Sequence, residues 1–571
     1  MNSPKDRMRT SDTTMSSRRF YTCAGLLTVL FLIWQMLWAL ASPPLRTPDE
    51  PHHLNSVIRL EQTGQWPDPG TSWLYRDIFE ASRASGLLVE GAPSYSLHYR
   101  TRLGRDAWIG ADTDSYRSQK LLPHEQRRSA RAESTVPILD QMTQHPPLYY
   151  AGGALVLRAT GMTDAPWDRQ ILILRLYSIV LTSPLVPCLI FAARRTGLSR
   201  RGALLASGTV YAIPMLSFIS ASVTNDALFI GAGALTIAAV SAAMFGSGQW
   251  RTVFAAGLAL GLGLWSKGTF IPMGLVVFLA FLANPRIGGW GRRLAQGLSA
   301  GLIGVLTGGY WWLRNIVRYG VIQPDGFQAQ ATEPGTDIGF FAERVTTSFV
   351  DSFWSDFGWL DITFAPLLLI LLSLLTVLFL ARALGTHPDK RWRLLLFTAN
   401  IVLVLGMLIV QAYNQYRGLG IIGGVQGRYL FAGALGLLVV IAMGAAGHHW
   451  DPPLTAPASR PRYREEAGWR SFLLPAVVAA SMLLSAYAML LWLRSCYPGA
   501  FFGMNLERWA LAAGLPVPVL GAALALGYAA LLGAGLVCYR LTRAELLPQF
   551  RPAELAYRPA GSSHPAAAAV Q

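Results

Sequence analysis

Residues 47–53 read TPDEPHH. Two adjacent carboxylates, Asp49 and Glu50, stand between Pro48 and Pro51, with His52 and His53 directly behind. Proline fixes φ and restrains the residue before it, so this is a stiff turn rather than a solvated run of charge. Carboxylates held this way at a bilayer surface could take the proton of a hydroxyl group. The same residues also suit a helix start, with Asp49 as cap and early acids meeting the helix dipole. Asp49, Glu50 and His52 or His53 could ligate a divalent ion, but the spacing is not diagnostic and no metal is assigned.

The elements that must position these groups are membrane helices. Hydrophobic residues make up 52% of 571 positions and charged residues 14%, and long apolar runs recur along the chain. This is the composition of a polytopic membrane protein. The first run, Phe20 to Ala41, is uncharged and too long for a signal-peptide core, so it reads as a retained span. Further spans are expected near 171–193, 202–220, 226–245, 252–265, 269–284, 295–313, 362–381, 394–412, 429–446, 471–493 and 509–537, making an all-α bundle of about 12 transmembrane helices. The short pair around WSKGT could equally be re-entrant. The four cysteines cannot build a disulfide framework.

Charge sets the orientation. The net charge of +16 is unevenly spread. Segments on one side, including RRTGLSRR, NPRIGGWGRR and RALGTHPDKRWR, hold 25 Lys and Arg against 8 Asp and Glu, and the remainder holds 23 against 24. That is the positive-inside pattern, which puts both termini in the cytoplasm and argues against a nucleic-acid partner. The expected layout is a cytoplasmic segment 1–19, a first span 20–41, an extracytoplasmic loop 42–170 with interfacial helices, and a bundle 171–313. A second outer loop 314–361, a bundle 362–539 and a disordered cytoplasmic tail 540–571 complete it. PPLYYAGGALVLRAT at 146–160 is too short to cross and reads as a helix lying in the outer interface. The 42–145 stretch, with 12 basic and 13 acidic residues, suits a small folded layer.

Polar residues at the edges of apolar spans are costly and need a reason. Arg175, Asn225 and Asp226 in SVTNDAL, Lys267 in WSKGTF, Arg314 in YWWLRN, Asp361 in DFGWLD, and Gln426 and Arg428 in VQGRYL all fall on the outer side. Each has an ordinary explanation as a snorkelling cation or a helix cap. Together, cations and a carboxylate pair at that depth suggest an anionic lipid head group meeting a general base. Glycines at 418, 420, 423, 424 and 427 would allow close approach to a ligand. Tyr149, Tyr150, Trp311, Trp312, Trp354 and Trp359 could stack on sugar rings or form an interfacial belt.

TPDEPHH, HPPLYY from His145, LRLYS around Arg175, SVTNDAL, SKGTFIP, WWLRN, FGWLD and VQGRYL occur in this order. In them the chain resembles the GT-C superfamily of integral-membrane glycosyltransferases, and most closely a bacterial polytopic family with an early PDEPxH motif. The resemblance implies a multi-pass protein of the bacterial cytoplasmic membrane whose active site faces outward. It implies a polyprenyl-phosphate-linked sugar donor and a glycan, lipid or protein acceptor. Carried over, the catalytic acid of the first outer loop falls on Asp49 or Glu50. Lys267, Arg314, Arg428 and Arg175 would hold the donor phosphate. His52, His53, His145, Tyr149, Asn225, Asp226, Asp361 and Gln426 would line the substrate site. One carboxylate base and a phosphate leaving group imply single displacement with inversion. Two other readings remain, a glycan polymerase or ligase with a lipid-diphosphate donor and a lipid or polysaccharide transporter.

Overall fold

A computed structural model describes residues 15–84, 135–324, 332–446 and 469–546. Most of the N-terminal segment, the middle of the long loop with DTDSYRSQK, most of RPRYREEAGWR and the tail beyond 546 lie outside the described residues.

The first helix, Ser17–Ala41, starts where the Ser16 hydroxyl accepts from the Arg19 N–H at 3.4 Å, and Pro43 and Pro44 end it. Among the described residues, eight helices are long and apolar enough to cross a bilayer, or nine if Arg200–Ala212 and Pro214–Ser220 form one broken span. That pair bends by 79° immediately before Pro214, which cannot continue a helix without losing a hydrogen bond. The spans expected at 252–265, 269–284 and 295–313 are not among these eight. Trp250–Leu264 rises only ~22 Å and Met273–Leu282 ~15 Å, against a hydrocarbon core of ~30 Å. Trp290–Gly308 carries Arg292 and Arg293 in its first turn and passes at Gly309 into Tyr310–Tyr319. Leu148–Ala159, the expected interfacial helix, has 12 residues and packs on the Glu50–Thr63 helix through Gly153 against Val57.

Asp226–Phe245 and Gly427–Ala446 are the central helices, buried along nearly their whole length. They touch backbone to backbone at Gly233, where a side chain would run into the main chain of Ala432. Small residues allow this approach where no hydrophobic force draws helices together. By contrast, Pro366–Thr386 exposes Leu367, Ile370, Leu374 and Val377, a surface suited to lipid.

The bundle has two chemically different ends. At one, arginines neutralise the C-terminal carbonyls of helices. Arg286 donates to Phe245 O at 2.9 Å, Arg382 to Gly444 O at 2.7 Å and Arg201 to Ala544 O at 3.3 Å. The opposite end gathers Ala41, Asp226, Leu264 and Arg428. A second apolar cluster, including Leu45, Leu54, Leu74, Ile78, Tyr150 and Ile171, lies beside it. Its parts are the Glu50–Thr63 and Leu148–Ala159 helices and the antiparallel pair Trp73–Tyr75 with Thr135–Leu139. The described ends of the long loop are therefore folded.

Candidate active site

The two acids of the TPDEPHH turn part company. Asp49 adopts a left-handed conformation (φ 59°), tolerable for Asp, and precedes the Glu50–Thr63 helix. It does not use its side chain as a cap: the main-chain oxygen accepts from His53 N at 3.1 Å, while the carboxylate turns away from the helix. Oδ2 accepts from the Arg428 Nη2 in a close ion pair, and Oδ1 from Gln141 Nε2 at 3.4 Å.

Arg428 sits in the Gly427–Gly433 turn that opens a central helix. Its Nε donates to Gln426 Oε1 at 2.6 Å, and its Nη1 lies 3.6 Å from Asp226 Oδ2. Asp226 begins the other central helix and pairs through Oδ1 with Lys267 Nζ at 2.5 Å. Lys267 and Arg428 both lie over the Tyr429 ring, at 5.0 and 5.4 Å. Four elements thus deliver two carboxylates and two cations to one spot. The side chains of Asp226, Arg428 and Lys267 are 0%, 3% and 7% exposed, and that of Asp49 is 15% exposed. Asp49 is the most exposed of the four.

Supporting contacts fix the cluster. Asn225 Nδ2 donates to Ser266 O at 3.2 Å, tying SVTNDAL to WSKGT. Thr224 donates its N–H to the Tyr149 oxygen at 2.9 Å, and its hydroxyl lies 3.2 Å from His53 Nε2 and 3.3 Å from Asp226 Oδ2. His53 Nδ1 meets the Tyr150 hydroxyl at 3.1 Å. Asp140 accepts from Asn55 at 2.6 Å and Ser56 at 2.8 Å, anchoring the acid-bearing helix to the segment that carries Gln141.

Burial alone would raise the Asp49 carboxyl, but the Arg428 charge and hydrogen bond, with Lys267, hold it below the usual carboxylate range. His145 is pushed down to about 3 by burial and by Lys267, against the opposing pull of Asp226 and Asp49. Burial also lowers His52 and His53. The site therefore holds ionised Asp49 beside neutral imidazoles at pH 7.

Several expected site residues have other work. Glu50, the alternative base, is fully buried and accepts from Arg175 Nε at 2.9 Å, Arg175 Nη2 at 2.7 Å and Val223 N at 3.2 Å. Arg175, expected to bind donor, spends its remaining donors on the carbonyls of Ala39, Ser42 and Pro43 at 2.9, 2.5 and 2.9 Å. The pair ties the end of the first helix to the acid turn. Arg314 is not in the cluster: it stacks on Trp311 at 4.9 Å and reaches Asp68 at 3.3 Å, a carboxylate shared with Arg318 and Tyr319 at 2.7 Å each. Asp361 pairs with Arg46 and accepts from Trp359 N at 3.0 Å.

Trp311, Trp312, Trp354, Trp359, Tyr149 and Tyr150 are buried rather than presented as sugar platforms. Trp312 and Trp359 spend their indole N–H groups on Leu264 O at 2.8 Å and Leu45 O at 3.0 Å. Gly420 and Gly427 make room for protein backbone at Glu333 and Phe353, not for a ligand. Among the described residues, no group of three or more His, Cys, Asp or Glu is placed to hold a metal ion; Glu50 is committed to Arg175 and His53 to Tyr150 and Thr224.

Gln141, Arg46, Thr224 and Tyr429 are the site and support residues that motif reading passed over. Arg46 and Tyr429 lie inside the same short stretches as Asp49 and Arg428, and adjacency was the only signal for them.

Fold and site together define a multi-pass membrane protein with a buried ion-pair cluster at the end of its bundle away from the arginine-capped helices. Residues 32–437 match the family described as "Predicted membrane protein (DUF2142)", and the chain belongs to that family. No curated protein matches it at a significant level. Among solved structures, it is similar to ArnT from Cupriavidus metallidurans bound to undecaprenyl phosphate, at 13% identity and a TM-score of 0.44, over 91% of this chain and 77% of that one. It is also similar to the oligosaccharyltransferase AglB from Archaeoglobus fulgidus in complex with an inhibitory peptide and a dolichol-phosphate, at 12% identity and a TM-score of 0.42, over 86% of this chain and 57% of that one.

Proposed function

We propose that this protein is an integral-membrane glycosyltransferase that moves a sugar from a polyprenyl-phosphate carrier to a hydroxyl acceptor on the outer face of a bacterial cytoplasmic membrane. One observation carries the reading: ionised Asp49, the most exposed member of the cluster, lies against a pair of buried cations, Arg428 and Lys267. The motif resemblance to GT-C enzymes supports it. So does the position of the cluster, opposite the arginine-rich helix ends that the positive-inside rule assigns to the cytoplasm.

In this reading Asp49 accepts the acceptor hydroxyl's proton as its oxygen bonds to the anomeric carbon. The bond from that carbon to the phosphate oxygen breaks, and its electron pair stays with the phosphate. The carrier phosphate passes from one negative charge to two, and Arg428 and Lys267 stabilise the added charge. Attack opposite the leaving group inverts the anomeric centre. Asp226 is not a base here; it keeps Lys267 charged and in place. Glu50 and Arg175 hold the turn that aims Asp49.

The test is a mass spectrum of lipid-linked sugars from cells with and without the protein, with Asp49→Asn as the inactive control. A polyprenyl monophosphate sugar that accumulates in both the deletion and the Asp49→Asn strain supports the reading. Accumulation of a lipid-diphosphate oligosaccharide instead assigns the protein to glycan polymerisation or ligation, and an unchanged lipid pool rejects a transferase role.

A further inference from the structure

The cation that would hold the donor phosphate is already engaged by the base that would act on the acceptor. We propose, resting on the glycosyl-transfer reading above, that the donor's phosphodiester takes the place of Asp49 on Arg428, so that donor binding releases the base for the acceptor.

Among the described residues, the carboxylates of Asp49 and Asp226 stand against the cations of Arg428 and Lys267, and three of the four side chains are at most 7% exposed. A phosphodiester entering this cluster brings one negative charge without a counter-ion, which is costly away from water unless a cation changes partner. Lys267 is the poor candidate, since its partner Asp226 is wholly buried and has nowhere to turn. Arg428 is the good one. Its partner Asp49 is the most exposed member of the four.

The guanidinium geometry suits the exchange. Nε is fixed by Gln426, while Nη1 is buried and makes no hydrogen bond among the described residues, its nearest carboxylate oxygen lying 3.6 Å away. Losing Asp49 from Nη2 would leave Nη1 and Nη2 together as a two-pronged donor, the form that matches two phosphate oxygens.

The charge balance of the transfer favours the same residue. As the new glycosidic bond forms, Asp49 goes from one negative charge to none by accepting the proton, and the carrier phosphate goes from one to two. A single unit of charge crosses from the carboxylate to the phosphate, and Arg428 lies where it can follow. With Arg428 turned to phosphate, Asp49 loses the charge and hydrogen bond that most hold its carboxyl down, and its affinity for a proton rises. Reaction is then ordered: an acceptor that arrives first meets a carboxylate still bound to arginine.

The experiment uses the full-length protein in lipid nanodiscs and a farnesyl methyl phosphodiester, which carries one negative charge at every working pH. Asp49→Asn removes the competing charge and should bind this probe at least about tenfold more tightly than wild type, while glycosyl transfer is lost. In wild type, affinity should rise as pH falls through the carboxylate range, because protonating Asp49 frees Arg428; the variant should lose that component and keep only the shallower rise that His52, His53 and His145 give on gaining charge. The wild-type pH series stands by itself if Asp49→Asn does not fold. Wild-type binding that is independent of pH, or a folded Asp49→Asn that binds equally or more weakly, overturns the exchange but leaves the donor reading intact. A wild type that fails to bind the phosphodiester at any pH overturns both.

Discussion

The carboxylates of Asp49 and Glu50, consecutive in the chain, engage arginines from opposite halves of the protein: Asp49 pairs with Arg428 and Glu50 with Arg175. The left-handed backbone at Asp49 is what separates them. One acid keeps 15% of its side chain exposed, and the other is fully sealed into the packing.

Substitution should therefore separate chemistry from stability. Asp49→Asn is expected to lower transfer by at least about 100-fold, the usual scale for losing a general base, with folding retained. Glu50→Gln leaves Arg175 buried without its counter-ion, which costs about 3–5 kcal/mol. It should appear as a lower yield and unfolding temperature in detergent. Equal stability of the two variants would refute this division.

Arg428 and Arg314 should also differ. Arg314 pairs with the partly exposed Asp68, an arrangement worth about 0–1 kcal/mol. Arg314→Ala should keep transfer within a few-fold of wild type. Arg428→Ala should lose it and should also weaken retention of a lipid phosphate, measured by co-purification.

Asp356 carries a pH signature. Burial and the neighbouring Asp351 and Asp361 raise its carboxyl to about 7, and its φ of 66° is one that Asn also tolerates. A raised carboxyl binds its proton more tightly when folded, so stability falls as pH climbs from about 4 to 7 and stays reduced above that. Asp356→Asn should raise the unfolding temperature at pH 8 and have little effect at pH 4. A stabilisation that is the same at both would remove Asp356 as the cause.

His145 should act in the opposite direction. Its imidazole is lowered to about 3 in the folded protein, so the unfolded chain binds the extra proton between about 6.5 and 3. The contribution is intact above 6.5 and is lost as pH falls. His145→Gln should flatten the acid side of the stability curve, read by thermal unfolding between pH 4 and 7.

Apolar runs carried most of the architecture, because a bilayer leaves the backbone few alternatives to the helix. The spans expected around WSKGT and at 295–313 are not among the eight, and the helices flanking WSKGT, Trp250–Leu264 and Met273–Leu282, have 15 and 10 residues. The convergence of TPDEPHH, SVTNDAL, WSKGTF and VQGRYL was legible from where charged residues interrupted apolar stretches, and these four motifs supply the cluster. The division of labour between Asp49 and Glu50 was not, since a single φ angle decides it. Nor was the fate of Arg314, whose partner Asp68 lies in a loop with no motif to flag it. Gln141 follows a stretch without motif or periodicity, and only folding brings it beside Asp49.

The bare contact between Gly233 and Ala432 has a consequence at a distance. Asp226 lies about two turns from the first of these residues and Arg428 about one turn from the second, so both charged groups ride on the same pair of rods, pressed together without any cushion. A methyl group added at Gly233, deep in the apolar layer, would wedge the rods apart and alter the spacing of groups it never touches. The alignment of the ion pairs at the surface is thus governed partly by how thin the helices are in the bilayer's interior.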